Sequence, residues 1–360
     1  MEITRDDIDD LAAGATLLGS GGGGDTAMVA AVLRHALAKN GPVRLIDAAD
    51  LPAEALVVPV AATGSITVMI ERPPAGDEFA EAVESLGRQM GLPVAAVHGF
   101  ESGGANALFA VAAAVWTGLP LVDADGMGRA YPRIDQVTFN AAGVSAAPTA
   151  LTGPAGNHLI IANARDNADA ERLLRSALPT LGGWAATAIY PMRAADAARC
   201  GITGSISGAL TLGRRLREAQ SNPRVRVGML ADHGADLLFT GAIIEVIGHP
   251  RPRTGGALTI EHDTDQHRTL RVEFADEYLL AIDNGEVSGQ VPEIIALLDS
   301  RSWQPVAAEH VTPGRHVDVV RFPAPAAWSH PTARRLVAPD AFGLRVLERG
   351  HDVLQEYPSA

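Results

Sequence analysis

Between residues 42 and 123 the chain repeats one unit: a short apolar run, a turn, then a stretch with apolar positions at helical spacing. Pro42 to Asp47, Leu56 to Ala61, Pro93 to His98 and Leu119 to Asp123 read as strands. The second is apolar at successive positions, as a strand covered on both faces must be. Gly76 to Gly91, with Phe79, Ala82, Val83, Leu86 and Met90 on one stripe, and the Ala-rich Gly103 to Gly118 read as connecting helices. This alternation requires crossover connections, hence an α/β architecture with a mainly parallel sheet and helices on both faces. Such sheets bind ligands at the carboxyl ends of their strands, where chemistry should be sought first.

The pattern then changes. Val137 to Ile161 reads as short extended segments, and Asp166 to Leu181 as a helix, which places a domain boundary near Arg165. Residues 1–165 form the expected α/β domain, and residues 166–360 the C-terminal domain. Ala185 to Tyr190, Ala194 to Arg199 and Ser205 to Gln220 suggest a second α/β layer against the first sheet. From about Arg224 to Pro323 the chain is β-rich: Asp236 to Ile247, Gly256 to His262, His267 to Phe274, Tyr278 to Ile282 and His316 to Arg321. Short strands joined by turns such as Asp283-Asn284-Gly285 indicate a small barrel or sandwich. Ala327 to Leu347 should return to the body of the protein.

Composition removes several function classes. A net charge of −13, with 29 scattered Lys and Arg, argues against nucleic acid or an anionic membrane surface as partner. The start lacks the basic and apolar regions of a signal peptide, and no apolar run reaches a spanning length, so a cytoplasmic protein is expected. One cysteine, Cys200, excludes an intrachain disulfide and a thiolate-rich zinc site, and no base accompanies it at an interpretable spacing.

Leu18-Gly-Ser-Gly-Gly-Gly-Gly-Asp25 precedes a strong helix-forming run, Thr26 to Lys39. Gly19, Gly21 and Gly24 fit G-x-G-x-x-G, but Thr4 to Ala13 before them reads as a capped helix rather than the strand a dinucleotide fingerprint requires. Gly-Lys-Ser/Thr is also missing, and Asp25 is placed to cap the helix where a phosphate would sit, so no nucleotide cofactor is expected. The loop reads either as a tight structural turn or as a wall of a small-molecule site. Two strands run into polar residues beside glycines: His98-Gly-Phe-Glu101-Ser-Gly-Gly-Ala-Asn106 and Asp123-Ala-Asp125-Gly-Met-Gly-Arg129-Ala-Tyr-Pro132. Buried carboxylates need a partner, a proton or a metal, so Glu101, Asp123 and Asp125 are candidate catalytic groups. The alternative is that Asp123 and Asp125 cap loops and Arg129 pairs with one of them. No histidine pair has metal-helix spacing. His98, at a strand end, and His233, in Asp232-His-Gly-Ala-Asp236, are the two worth testing as ligands.

These segments, with Tyr190-Pro-Met192, Leu238-Phe-Thr-Gly241 and Pro339-x-Ala-Phe-Gly343, resemble a bacterial family long called DUF917, associated with S-methyl thiohydantoin desulfurases and with hydantoinase/oxoprolinase-type enzymes. The resemblance spans nearly the whole chain. It implies an N-terminal three-layer α/β domain, a C-terminal domain containing a β-barrel, and hydrolysis of a small cyclic amide with release of a thiol. Water then needs a carboxylate base or a divalent metal such as zinc. Glu101, Asp123 and Asp125 are the candidates for catalysis, and Asp125 with His98 or His233 for the metal. Asn106, Arg129 and the amides of Gly21, Gly22, Gly23 and Gly24 would bind the ring, with Arg129 holding an acidic substituent. A homo-oligomer is expected. The competing function is a non-catalytic ligand-binding subunit beside a hydantoinase-type enzyme. Ala242 replaces a family-typical Lys, and Cys200 has no family counterpart.

Overall fold

The computed structural model describes residues 1–248 and 255–344. Its first sheet runs Glu2–Ile3, Val43–Ile46, Leu121–Val122, Val94–Gly99, Leu56–Gly64, Trp184–Ala188, Thr149–Thr152, His158–Ile161. The four strands from Val43–Ile46 to Leu56–Gly64 are parallel, as the alternation predicts. Their antiparallel neighbours make the whole sheet mixed.

Neighbouring side chains on Leu56–Gly64 enter opposite cores. Val58 and Val60 face the helices Ile8–Leu18, Thr26–Asn40, Asp77–Met90 and Ala105–Thr117, whereas Val57 and Ala61 face Asn167–Leu181 and Ala194–Cys200. The result is three layers, and the parallel strand is apolar throughout because both faces are covered. Helix Ile8–Leu18 crosses Ser205–Ser221 at backbone distance. A Cβ on Gly213 would lie 1.7 Å from Asp10 O, and one on Gly14 1.8 Å from Ala209 O.

Trp184–Ala188 departs from the sequence reading. It is a strand of the first sheet itself, antiparallel to Leu56–Gly64 and Thr149–Thr152, rather than part of a separate layer. Its small apolar side chains specify burial but not which strand lies alongside. Met192–Arg193 adds a second pairing to Leu56–Gly64.

The second large sheet has seven antiparallel strands in the order Glu286–Gln290, Tyr278–Asp283, Thr269–Phe274, Gly256–His262, Asp236–Gly248, His316–Phe322, Ile294–Asp299. It curls around Phe239, Ile243, Leu258, Ile260, Val272 and Val319, bringing Ile295 of the last strand into the cluster that holds Tyr278 and Ala281. The expected small barrel is an open half-barrel. A helix, Arg226–Asp232, precedes it. Glu286–Gln290 and Ile294–Asp299 lie outside the strands read from sequence. The latter, Ile-Ile-Ala-Leu-Leu-Asp, has no alternation to reveal its type.

The chain then returns to the first body, as expected. Trp328 is buried and donates Nε1–H to Met127 O at 2.8 Å, and the helix Pro331–Val337 buries Val337 in the same core. Residues 345–347 of that predicted return lie outside the described residues. Among the described residues no helix is long and apolar enough to cross a membrane.

Candidate functional site

The parallel strand Val94–Gly99 ends in Phe100-Glu101-Ser102-Gly103-Gly104, which turns into helix Ala105–Thr117. The neighbouring Leu121–Val122 leads into Ala124–Asp125 and the loop to Tyr131. The glycine stretch lies against both turns. Ala105 N donates to Gly23 O at 2.8 Å and Ala130 N to Leu18 O at 3.2 Å. A Cβ on Gly104 would lie 2.1 Å from Gly23 O, so the two glycine-rich turns meet where neither tolerates a side chain. The half-barrel closes the third side. Tyr278 N donates to Ser20 O at 2.7 Å and Ala308 N to Gly21 O at 2.8 Å. A Cβ on Gly21 would meet the Tyr278 ring at 2.5 Å, and one on Gly22 would meet Glu277 Oε1 at 2.6 Å. Asp25 caps helix Thr26–Asn40 through Ala27 N at 2.8 Å, as the sequence predicts.

Glu101 and Asp125 are buried beside each other. Asp125 Oδ2 accepts from Ser102 N at 2.8 Å, Met127 N at 3.0 Å and Gly128 N at 2.7 Å, while Oδ1 makes no hydrogen bond among the described residues. Glu101 Oε1 accepts from Asn106 Nδ2 at 2.5 Å, and Oε2 is likewise without a partner. Asn106 is held in turn, its Oδ1 accepting from Ala62 N at 2.7 Å. Burial, with Glu277 and Asp125 as neighbouring charges, pushes the Glu101 carboxyl up to about 8. Burial also raises Asp125, while the N–H groups of Gly128, Met127 and Ser102 and the neighbouring Ser205 hydroxyl oppose the shift. Glu101, raised to about 8, suits a proton-bearing role at neutral pH, while the three N–H donors on Asp125 Oδ2 would stabilise a carboxylate there.

A third buried carboxyl, Glu277, was not among the candidates read from sequence. It follows strand Thr269–Phe274 in the half-barrel, Oε2 has no partner, and burial together with Asp276 raises it to about 8. The Tyr131 hydroxyl and Ser102 Oγ are also buried without a hydrogen-bond partner. Buried orphan polar atoms are rare in folded proteins. Glu277 carries no local motif, and only the approach of its hairpin to Gly22 brings it here.

The remaining candidates are used differently. Asp123 accepts from Ile206 N at 3.1 Å, Ser207 N at 3.0 Å and Ser207 Oγ at 2.6 Å, capping helix Ser205–Ser221. Arg129 is buried, and its hydrogen bonds go to the carbonyls of Ala130, Tyr278 and Glu293 at 3.2, 3.1 and 2.5 Å. It also lies over the Tyr131 ring. His98 is fully buried, with Nδ1 on Gly99 O at 2.7 Å and Nε2 unpartnered, and burial lowers it to about 4. His233 sits elsewhere, on Met229 O at 2.9 Å and against Phe322. Neither histidine hydrogen-bonds Asp125, and among the described residues no three His, Cys, Asp or Glu are placed to hold a metal. The Cys200 thiol, on Asp196 O at 2.9 Å, is raised to about 11 by burial, which makes it a poor nucleophile.

A cleft of about 880 Å³ lies between the two sheets' domains. Its wall includes Pro132, Glu171, Phe274, Asp276 and Leu279, and Glu101, Asp125 and Glu277 do not line it. That volume suits a small molecule.

The fold and these strand-end carboxyl groups define a two-part α/β and antiparallel-β protein with a buried acidic site. The sequence profile described as the S-Me-THD-like N-terminal domain matches residues 6–163, and that of the S-Me-THD-like C-terminal domain residues 165–349. The chain belongs to this family, related to S-methyl thiohydantoin desulfurase. An X-ray crystal structure of a protein from Chromobacterium violaceum, a structural genomics target, is similar at 26% identity and a TM-score of 0.79. The similarity covers 95% of this chain and 96% of that one. No protein of curated function matches the chain.

Proposed function

We propose that the chain is a hydrolase of a small cyclic amide, acting on an S-methyl thiohydantoin or a close analogue. The observation that carries this is the Glu101–Asp125 pair, two buried carboxyl groups that each present one unpartnered oxygen beside a parallel strand end. Water adds to the ring carbon between the two nitrogens, and one water proton passes to ionised Asp125. Collapse of the tetrahedral adduct breaks the C–S bond, and the thiolate leaves with a proton from Glu101. The products are the hydantoin and methanethiol, and the proton held by Asp125 restores the pair. Asn106 orients Glu101, and the three backbone N–H groups orient Asp125.

The test is thiol release from S-methyl thiohydantoin by the purified full chain. Asp125→Asn and Glu101→Gln should each fold and lose about 10²-fold or more of turnover. In the unsubstituted protein the rate should fall as pH rises through about 8, because the acid is then ionised. Thermal stabilisation by the ring with no thiol release would replace this reading with the ligand-binding subunit.

A further inference from the structure

We propose that Glu277 is the recognition residue of this site: a carboxyl group from the half-barrel that takes the cis-amide edge, N–H beside C=O, of a five-membered ring. The proposal rests on the function proposed above, since it names the part of the substrate that the same site reads.

Three observations point to a ligand rather than to packing. Glu277 is only 3% exposed, yet its Oε2 has no hydrogen-bond partner among the described residues. It abuts Gly22, where a Cβ would fall 2.6 Å from Oε1, so the glycine stretch leaves this carboxyl room that any other residue would fill. The Tyr131 hydroxyl is likewise buried without a partner, and Tyr131 and Arg129 both lie within the electrostatic reach of Glu277. Arg129 makes no ion pair with Glu277 among the described residues, and its hydrogen bonds go to three carbonyls.

A protonated carboxyl offers one donor and one acceptor side by side. A ring amide is held cis, so its N–H and C=O also lie side by side, and the two groups pair through two hydrogen bonds. An open-chain amide is trans and presents the two on opposite sides. Glu277 thus selects rings over linear amides without any charged contact. The groups facing it are Asp276 on its own hairpin, Glu101 and Arg129 from the α/β side, and Tyr131. Burial first, and then Asp276, keep it protonated at neutral pH, while Arg129 opposes them.

The experiment is calorimetric titration of hydantoin, the hydrolysis product, into the full chain between about pH 6 and about pH 9.5. Glu101→Gln serves as background, so that Glu101 contributes no pH limb. In that background the affinity should weaken as pH rises through about 8. Adding Glu277→Gln, which keeps a donor and an acceptor but cannot ionise, should abolish the limb and retain binding. Adding Glu277→Leu should weaken binding about 10- to 100-fold at the lower pH, as expected for two lost hydrogen bonds, and in the otherwise unsubstituted enzyme it should raise KM far more than it lowers kcat. Should the Leu variant misfold, the pH comparison with Gln decides alone. A limb that persists in the double variant below the pH at which hydantoin's own N–H ionises, or a folded Leu variant that binds hydantoin normally, overturns the proposal. If Asp125-dependent thiol release survives that result, the function stands and only the role of Glu277 falls. If the protein neither binds rings nor releases thiol, both fall.

Discussion

Asp123 and Asp125 stand two residues apart, and their carboxyl groups do different things. Asp123 closes the first turn of Ser205–Ser221 with both oxygens, so Asp123→Ala should cost about 1 kcal/mol of stability, as lost caps do, and leave thiol release within about two-fold. Chemical denaturation paired with the thiol assay checks this, and a loss of turnover as deep as that of Asp125→Asn would move the chemistry to Asp123. Glu101 and Glu277 carry a second expectation. Both are raised from 4.5 to about 8, so between those values the folded protein keeps protons that the unfolded chain releases. Stability should therefore fall as pH rises across that window and level off above it. Glu277→Gln should flatten the fall by an amount on the order of a few kcal/mol, readable as Tm against pH.

Ser205–Ser221 lies on Ile8–Leu18 because Gly14 and Gly213 remove the side chains at the crossing. Gly213→Val should force the helices apart and destabilise the protein by about 3 kcal/mol, in the range of overpacked contacts. The same displacement would carry the Asp123-capped end of Ser205–Ser221, and with it the Ser205 hydroxyl beside Asp125, so turnover should fall together with Tm. Retained turnover at reduced Tm would uncouple that helix from the site. Element types were largely legible in sequence, because helical stripes such as Phe79, Ala82, Val83 and Leu86 and the alternation along Gly256–His262 each have one period. Trp184–Ala188 was legible as a strand but not as a member of the first sheet, and Ile294–Asp299 was not legible, because a strand apolar on both faces shows no period.

At the scale of the whole molecule, the half-barrel and the α/β body are joined through the glycine stretch. Ser20 Oγ donates to Ile295 O at 2.6 Å, and Arg129 donates across the junction to Tyr278 O and Glu293 O. Arg129→Met removes those donors and leaves buried carbonyls unsatisfied, at about 1–3 kcal/mol each. Its unfolding should separate into two steps in calorimetry, the half-barrel first, whereas a single unshifted transition would show that Arg129 is not part of the junction. Arg129 thus serves this junction, where the sequence suggested a clamp for an acidic substituent. The amino-acid order by itself determined the helices, most strands, the acids at the parallel strand ends and the family motif, because these follow from local period and from residues close in sequence. Only the tertiary structure separated Asp123 from Asp125, left His233 away from the site and brought Glu277 to Gly22. Those outcomes depend on contacts between segments up to about 255 residues apart in the chain, and no local periodicity carries that information.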